Sequence, residues 1–289
     1  MRGLAAVALV AALVMAGCSS NQPTESEVPT SKGAPAHQEV FPVIASSEIV
    51  VGDNRLQIGL IDTNDAPVRS PKTTLHVGFV GPGDEQPSAE TTMSFLWTIK
   101  PVQGLWVGEV TFDRPGQWEA RLDVEGGGYD AKARTTVEVS KEGTTPEIGQ
   151  TAPAVETPTI ADVDDLSEIT TDSNPDRRFY ELSIGAALEA GMPAVIVFAT
   201  PKFCTSQVCG PTLSILKDVA EDFPQVNFVH VEPYDLDEVP EQLDPVPAAI
   251  AWGLPTEPWV FVTDARGRLA AKYEGSVAPQ ELKALLRGL

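Results

Sequence analysis

Cysteine is scarce here, with three residues in 289, and histidine is equally scarce, also with three. Three histidines scattered at positions 37, 76 and 230 form no cluster that would by itself build a metal site. Basic residues are also few: 20 Lys and Arg stand against 41 Asp and Glu, a formal charge of −21. Such a surface repels nucleic acid and anionic lipid, so neither is expected as a partner. Long apolar runs are missing after the first residues, and nothing later reaches the roughly 20 residues that cross a bilayer as a helix.

What is present begins at residue 1. In MRGLAAVALVAALVMAGC, Arg2 precedes an apolar run from Leu4 to Ala16, and small residues stand just before Cys18. Residues 1–17 have the layout of a cleaved secretory signal peptide. The pentapeptide VMAGC resembles the lipobox of bacterial lipoproteins. That resemblance implies that Cys18 is acylated with palmitate-type chains and becomes the new N-terminus. The expected location is then the extracytoplasmic face of the cell membrane, held there by two or more chains. Residues 18–42 are polar and rich in Ser, Pro and Glu; they lack the apolar side chains to fold and read as a disordered tether.

Residues 43–140 change to alternation. EIVVGDNRLQIGLID, TTLHVGFVG, LWVGEVTF and QWEARLDVE are short β-type runs. Turn clusters at Gly52-Asp53-Asn54, Gly81-Pro82-Gly83 and Arg114-Pro115-Gly116 separate them. This pattern predicts an antiparallel β-sandwich with Trp106 and Trp118 in its core. It resembles the immunoglobulin-like modules of exported bacterial proteins, which implies a spacer or docking role. His76, alone in a strand, reads as structural. Residues 141–158 form a second Pro/Thr/Glu-rich linker.

Residues 159–289 alternate strands and helices. SIGAALEAG predicts a short helix capped by Ser183 and stopped by Gly191. AVIVFAT predicts a strand buried on both faces. GPTLSILKDVAEDF predicts an amphipathic helix with Pro211 in its first turn and Leu213, Ile215, Leu216 and Val219 on its buried stripe. QVNFVHVE, a strand–turn–strand in WVFVTDARGRLAAKYEG and a closing helix in APQELKALLRGL follow.

Several motifs carry a family resemblance over about residues 148–289. IGQTAPAVE is similar to the opening of thioredoxin-like exported domains, VFATPKFC places Cys204 just after the first central strand, and WGLPTEPWVFVTDARGRL is similar to that superfamily's second half. The resemblance implies an α/β thioredoxin-like fold for the C-terminal domain. It also implies a membrane-anchored thiol–disulfide oxidoreductase acting on exported protein thiols or disulfides. Cys204, Cys209 and Pro258 would be the catalytic residues, with no cofactor beyond the redox-active disulfide. Pro258 falls where the family keeps a cis-proline, and Pro255 is the competing assignment.

The spacing departs from that family. CTSQVCGP has four residues between the cysteines where thioredoxins have two. Five residues of helix rise about 7.5 Å and turn about 500°, whereas a bridge needs Cα atoms roughly 4.4–6.8 Å apart. One regular helix therefore cannot carry both cysteines; the helix is expected to begin at Pro211, with Cys204 in a loop that folds back. Two role assignments stay open. Cys204 attacks and Cys209 resolves, with Lys202 favouring the Cys204 thiolate, or Cys209-Gly210-Pro211 overlays the family's C-G-P and the roles reverse. A third reading is a purely structural staple, worth roughly 2 kcal/mol for so short a loop. Its counterpart is a non-catalytic binding or scaffold lipoprotein. A Cu(I) chaperone would use both cysteines with His230 as metal ligands.

Overall fold

Apolar side chains at every second position drive the first half of the chain into strands. The computed structural model describes residues 39–236 and 243–289, so the expected signal peptide, Cys18 and most of the expected tether lie outside the described residues. Seven strands come first: β1 (Val40–Ile44), β2 (Gly52–Asp62), β3 (Thr73–Val80), β4 (Ala89–Ile99), β5 (Gln103–Phe112), β6 (Gly116–Gly126) and β7 (Tyr129–Val139). In β3, Leu75, Val77 and Phe79 point inward while His76 is exposed, as a period of two requires. The core holds Trp106 and Trp118, both essentially without solvent contact. Their indole N–H groups donate to the carbonyls of Thr73 at 2.8 Å and Arg114 at 3.2 Å.

These strands are antiparallel as expected, but they do not stand as two separate sheets. They form one antiparallel sheet in the order β1-β2-β5-β4-β3-β6-β7, and it is nearly closed, with β1 and β7 approaching each other. The reason lies in β4. Its first half, Ala89–Met93, pairs with β3, and its second half, Ser94–Ile99, pairs with β5. One long strand thus joins what would otherwise be two sheets.

The second half has a four-stranded sheet in the order β11-β10-β8-β9. Its strands are β8 (Ala194–Phe198), β9 (Asn227–Val231), β10 (Trp259–Thr263) and β11 (Leu269–Glu274). The helices are α1 (Ile184–Glu189), α2 (Cys209–Asp222), α3 (Pro247–Ala251) and α4 (Pro279–Leu286). Ser183 caps α1 by accepting from the Ala186 N–H. One apolar cluster joins Leu213, Leu216 and Val219 of α2 to Leu282 and Leu286 of α4 against β8 and β10. Another gathers Trp252, Phe261 and Phe198 with α1.

Strands make up 39% and helices 16% of the structure. The expected recognition as a thioredoxin-like lipoprotein, and the α/β class expected with it, are therefore corrected to a predominantly β protein. An α/β fold rests on parallel strands joined by helical crossovers. Among the described strands only β8 and β9 pair in parallel, beside one isolated parallel bridge between Val50 and Ser140, and α1 and α3 have six and five residues.

The described residues, 39–236 and 243–289, belong to one compact unit, because polar side chains tie the two sheets together. Arg55 on β2 forks onto Glu281 of α4 at 2.8 and 3.1 Å, and Gln57, buried, donates to the Glu274 carbonyl at 2.8 Å. Residues 144–145, within the stretch expected as a linker, are pinned in the same way. Glu48 accepts from the N–H groups of Thr144 and Thr145, and Lys272 donates to Glu48 at 2.7 Å and to Thr145 at 2.8 Å.

Candidate functional site

Cys204 and Cys209 are joined by a disulfide with Cα atoms 6.1 Å apart. The loop folds back as the spacing demanded, and Gln207 takes φ 62 to turn it. That is the left-handed region, which non-glycine residues seldom enter. Helix α2 starts at Cys209, two residues before the expected Pro211. Proline is tolerated there because first-turn N–H groups have no partner within the helix. Cys209 is fully buried among Leu213, Val195 and Val197, whereas Cys204 is half-buried. Lys202 sets its ammonium 5.1 Å from the Phe203 ring centroid.

The Glu257–Pro258 peptide is cis, and the bond before Pro255 is not. The Pro258 carbonyl accepts from the Gly275 N–H at 2.8 Å, and Thr212 in the first turn of α2 donates to the Gly275 carbonyl at 3.4 Å. Gly275 therefore joins the proline loop to the start of the helix.

His230 is buried on β9 near the same end of the sheet, paired with Val197 one residue before the end of β8. Its Nε2 lies 2.8 Å from the Ala199 carbonyl, which can only accept, so Nε2 carries the proton. Nδ1 then accepts from the Tyr180 hydroxyl at 2.7 Å, and Thr170 Oγ1 lies 3.1 Å from that hydroxyl. Burial holds the imidazole pKa below its ordinary value against the opposing charge of Glu232. Burial likewise pushes the Tyr180 phenol upward. The pair is neutral at pH 7. With both ring nitrogens engaged, His230 has no lone pair for a metal. Among the described residues no three His, Cys, Asp or Glu side chains gather to hold an ion.

Beside this pair lies a cavity of about 330 Å³. Its walls are the 156–158 segment, Glu168 and Ile169, His230 and Val231 at the end of β9 with Glu232 just after it, Tyr234, and the start of α3. Glu232, 5% exposed, accepts twice at Oε1 from Thr171, through N–H and hydroxyl, each at 2.6 Å. Its Oε2 has no partner among the described residues. Tyr234 donates to Glu257 at 2.7 Å, so the cavity rim is bonded to the residue before the cis-proline. A larger hollow of about 660 Å³ crosses β3, β4, β6 and β7. Its basic groups are paired, Lys132 with Asp123, and Arg121 and Arg134 with Glu119.

The sequence reading singled out the cysteines, Pro258 and His230, but passed over Tyr180, Thr170, Glu156 and Glu232. One signal was available: in VHVE, His230 and Glu232 are two apart and so share a face of an extended strand.

No family model matches the chain, and no curated protein matches it. It is similar to a solved structure described as FdeC, a broadly conserved Escherichia coli adhesin. Identity is 17% over 41% of this chain, the TM-score is 0.22, and the chain spans 38% of that protein's length. The expected thiol–disulfide oxidoreductase, along with the scaffold and Cu(I) alternatives drawn from the same fold, is corrected on the predominantly β content of the structure. The disulfide is there, but the fold that would have given it a redox role is not supported in a mostly β chain.

Proposed function

We propose that this chain is a small-ligand-binding protein displayed on the outer side of a bacterial membrane, with the cavity beside His230 and Glu232 as its binding site. The observation that carries the reading is the cavity's composition. Apolar walls from Ile169, Val246, Pro247 and Ala248 surround a few polar side chains, Glu232 and Tyr234 among them. Binding sites are built this way, with apolar area for affinity and sparse polar groups for orientation. The neutral His230–Tyr180 pair stiffens the wall, and the disulfide staples the loop that leads into α2. Acyl chains on Cys18 provide the anchor in this reading.

Thermal shift on the full chain in detergent tests the site with three probes of one shape: 2-phenylethylammonium, 2-phenylethanol and 3-phenylpropionate. At least one should raise Tm, and filling the cavity with Ala248→Trp should abolish that rise. If no probe shifts Tm, or the shift survives Ala248→Trp, this site is wrong. The anchor is tested separately: Cys18→Ser should lose metabolic labelling by an alkynyl palmitate and release the protein from membranes.

A further inference from the structure

Residues 170–172 are held by three neighbouring elements at once. Thr170, 3% exposed, closes a hydrogen-bond chain with Tyr180 and with His230 of β9. Thr171 gives its N–H and its hydroxyl to Glu232, and its oxygen accepts from the Lys202 N–H, beyond β8, at 3.2 Å. Asp172 accepts from Lys217 of α2 at 2.7 Å. Every proton in the histidine chain has a place. His230 Nε2 donates to Ala199, and Tyr180 spends its one proton on Nδ1. The Thr170 hydroxyl then donates to Tyr180, while its oxygen accepts from the Asp172 N–H at 3.0 Å.

An added imidazole proton has no such place. On Nδ1 it would donate to Tyr180, which would turn its own proton to Thr170 Oγ1. The Thr170 proton would then lack an acceptor among the described residues, next to a buried positive charge; both are costly. The charges facing the ring do not remove the conflict. Glu232 and Asp172 favour the imidazolium and Lys217 opposes it, but burial outweighs them. Across the cavity, Glu156 is bonded to Ser183, and Glu168 to the N–H groups of Asp164 and Asp165. Asp176, beside Tyr180, is bonded to Arg178.

We propose that residues 170–172 are an acid-released strap: when His230 becomes charged, the strap leaves β9 and the Lys202 N–H, and the adjoining cavity wall at Glu168 and Ile169 loosens. Release lets the imidazolium and the Thr170 hydroxyl reach water. The inference goes beyond the binding role and stands whether or not the cavity takes a ligand.

Hydrogen exchange by mass spectrometry on the full chain in detergent tests it, with rates corrected for the pH dependence of intrinsic exchange. Peptides spanning 170–174 should be less protected than β8 and β10, because the strap opens without the sheet. From pH 7 to pH 5 their protection should fall about 10- to 25-fold, with its onset near pH 6.5. The upper figure is the gain of an imidazole of ordinary pKa freed from a site that keeps it neutral. His230→Gln, uncharged at every pH, should remove the fall. Equal protection of strap and strands overturns the proposal, since opening would then be global. So does protection unchanged between pH 7 and pH 5, or a fall retained in His230→Gln. If that variant does not fold, the onset in the unmodified protein decides: near pH 6.5 supports the histidine, and below about pH 5, where carboxylates titrate, overturns it.

Discussion

The seven-stranded sheet and the four-stranded sheet solve burial in different ways. In the first, the two most buried indoles each find a carbonyl, and among the described residues Arg55 Nη1 and Thr98 Oγ1 are buried without a partner. In the second, among the described residues five buried groups lack one: the hydroxyls of Thr200, Thr263 and Ser276, the indole of Trp252 and Glu232 Oε2. Unsatisfied buried polar groups oppose folding. Their concentration in one half marks that half as the one shaped by something besides stability, and the cavity lies there.

The contrast can be broken first at its apolar side. Trp106→Ala should cost about 3–5 kcal/mol in denaturant unfolding, the usual range for a deleted core aromatic. Because Arg55, Gln57 and Lys272 couple the sheets, near- and far-ultraviolet signals should lose stability together; separate transitions would show that the halves fold independently. Next comes the junction. Lys272→Met strands Glu48, whose side chain is 7% exposed, and should cost about 2–3 kcal/mol, below the range for a fully buried pair. A loss under about 0.5 kcal/mol would place this contact with ordinary surface pairs.

Reducing the disulfide should cost about 2 kcal/mol, as expected for a loop this short, and should leave probe binding in the cavity unchanged. Loss of binding on reduction would mean that the staple also shapes the site. The smallest effect is on pH. Native His230 resists protonation, whereas the unfolded chain takes the proton near pH 6.5. Stability is therefore intact above that value and falls as pH drops below it, by at most about 1.4 kcal/mol per unit. His230→Gln should flatten the slope between pH 6.5 and 5. A second acid loss belongs to Glu48. Burial would raise its pKa, but bonds from Lys272 and Thr145 outweigh this and lower it. Its contribution is thus held above the ordinary carboxylate range and lost as pH falls through the lowered pKa. A slope unchanged by His230→Gln would remove the histidine from this account.

Much of the local structure was legible in residue order. Alternation marked β2, β3, β5 and β6, and Ser183 marked the start of α1. β7 went unread because its exposed face is Asp, Lys, Arg, Thr and Glu, and its inward positions include small alanines at 131 and 133. The helix at Cys209 was expected two residues later, because proline was taken as the first helical residue when it also fits a later place in the first turn. The site was less legible. Tyr180 lies 50 residues from His230 and Thr171 lies 61 from Glu232, and no local pattern reports contacts at that range.

Residue order alone determined which segments alternate, where helices are capped, and that a loop closing Cys204 onto Cys209 must leave the helix. Those features depend on neighbours a few positions apart. Tertiary structure decided that β4 bridges two strand groups into one sheet, that the described chain is predominantly β, and that Glu232 comes to line a cavity. Each of these depends on which distant segments exclude water from one another, a property of packing that the order of residues does not display.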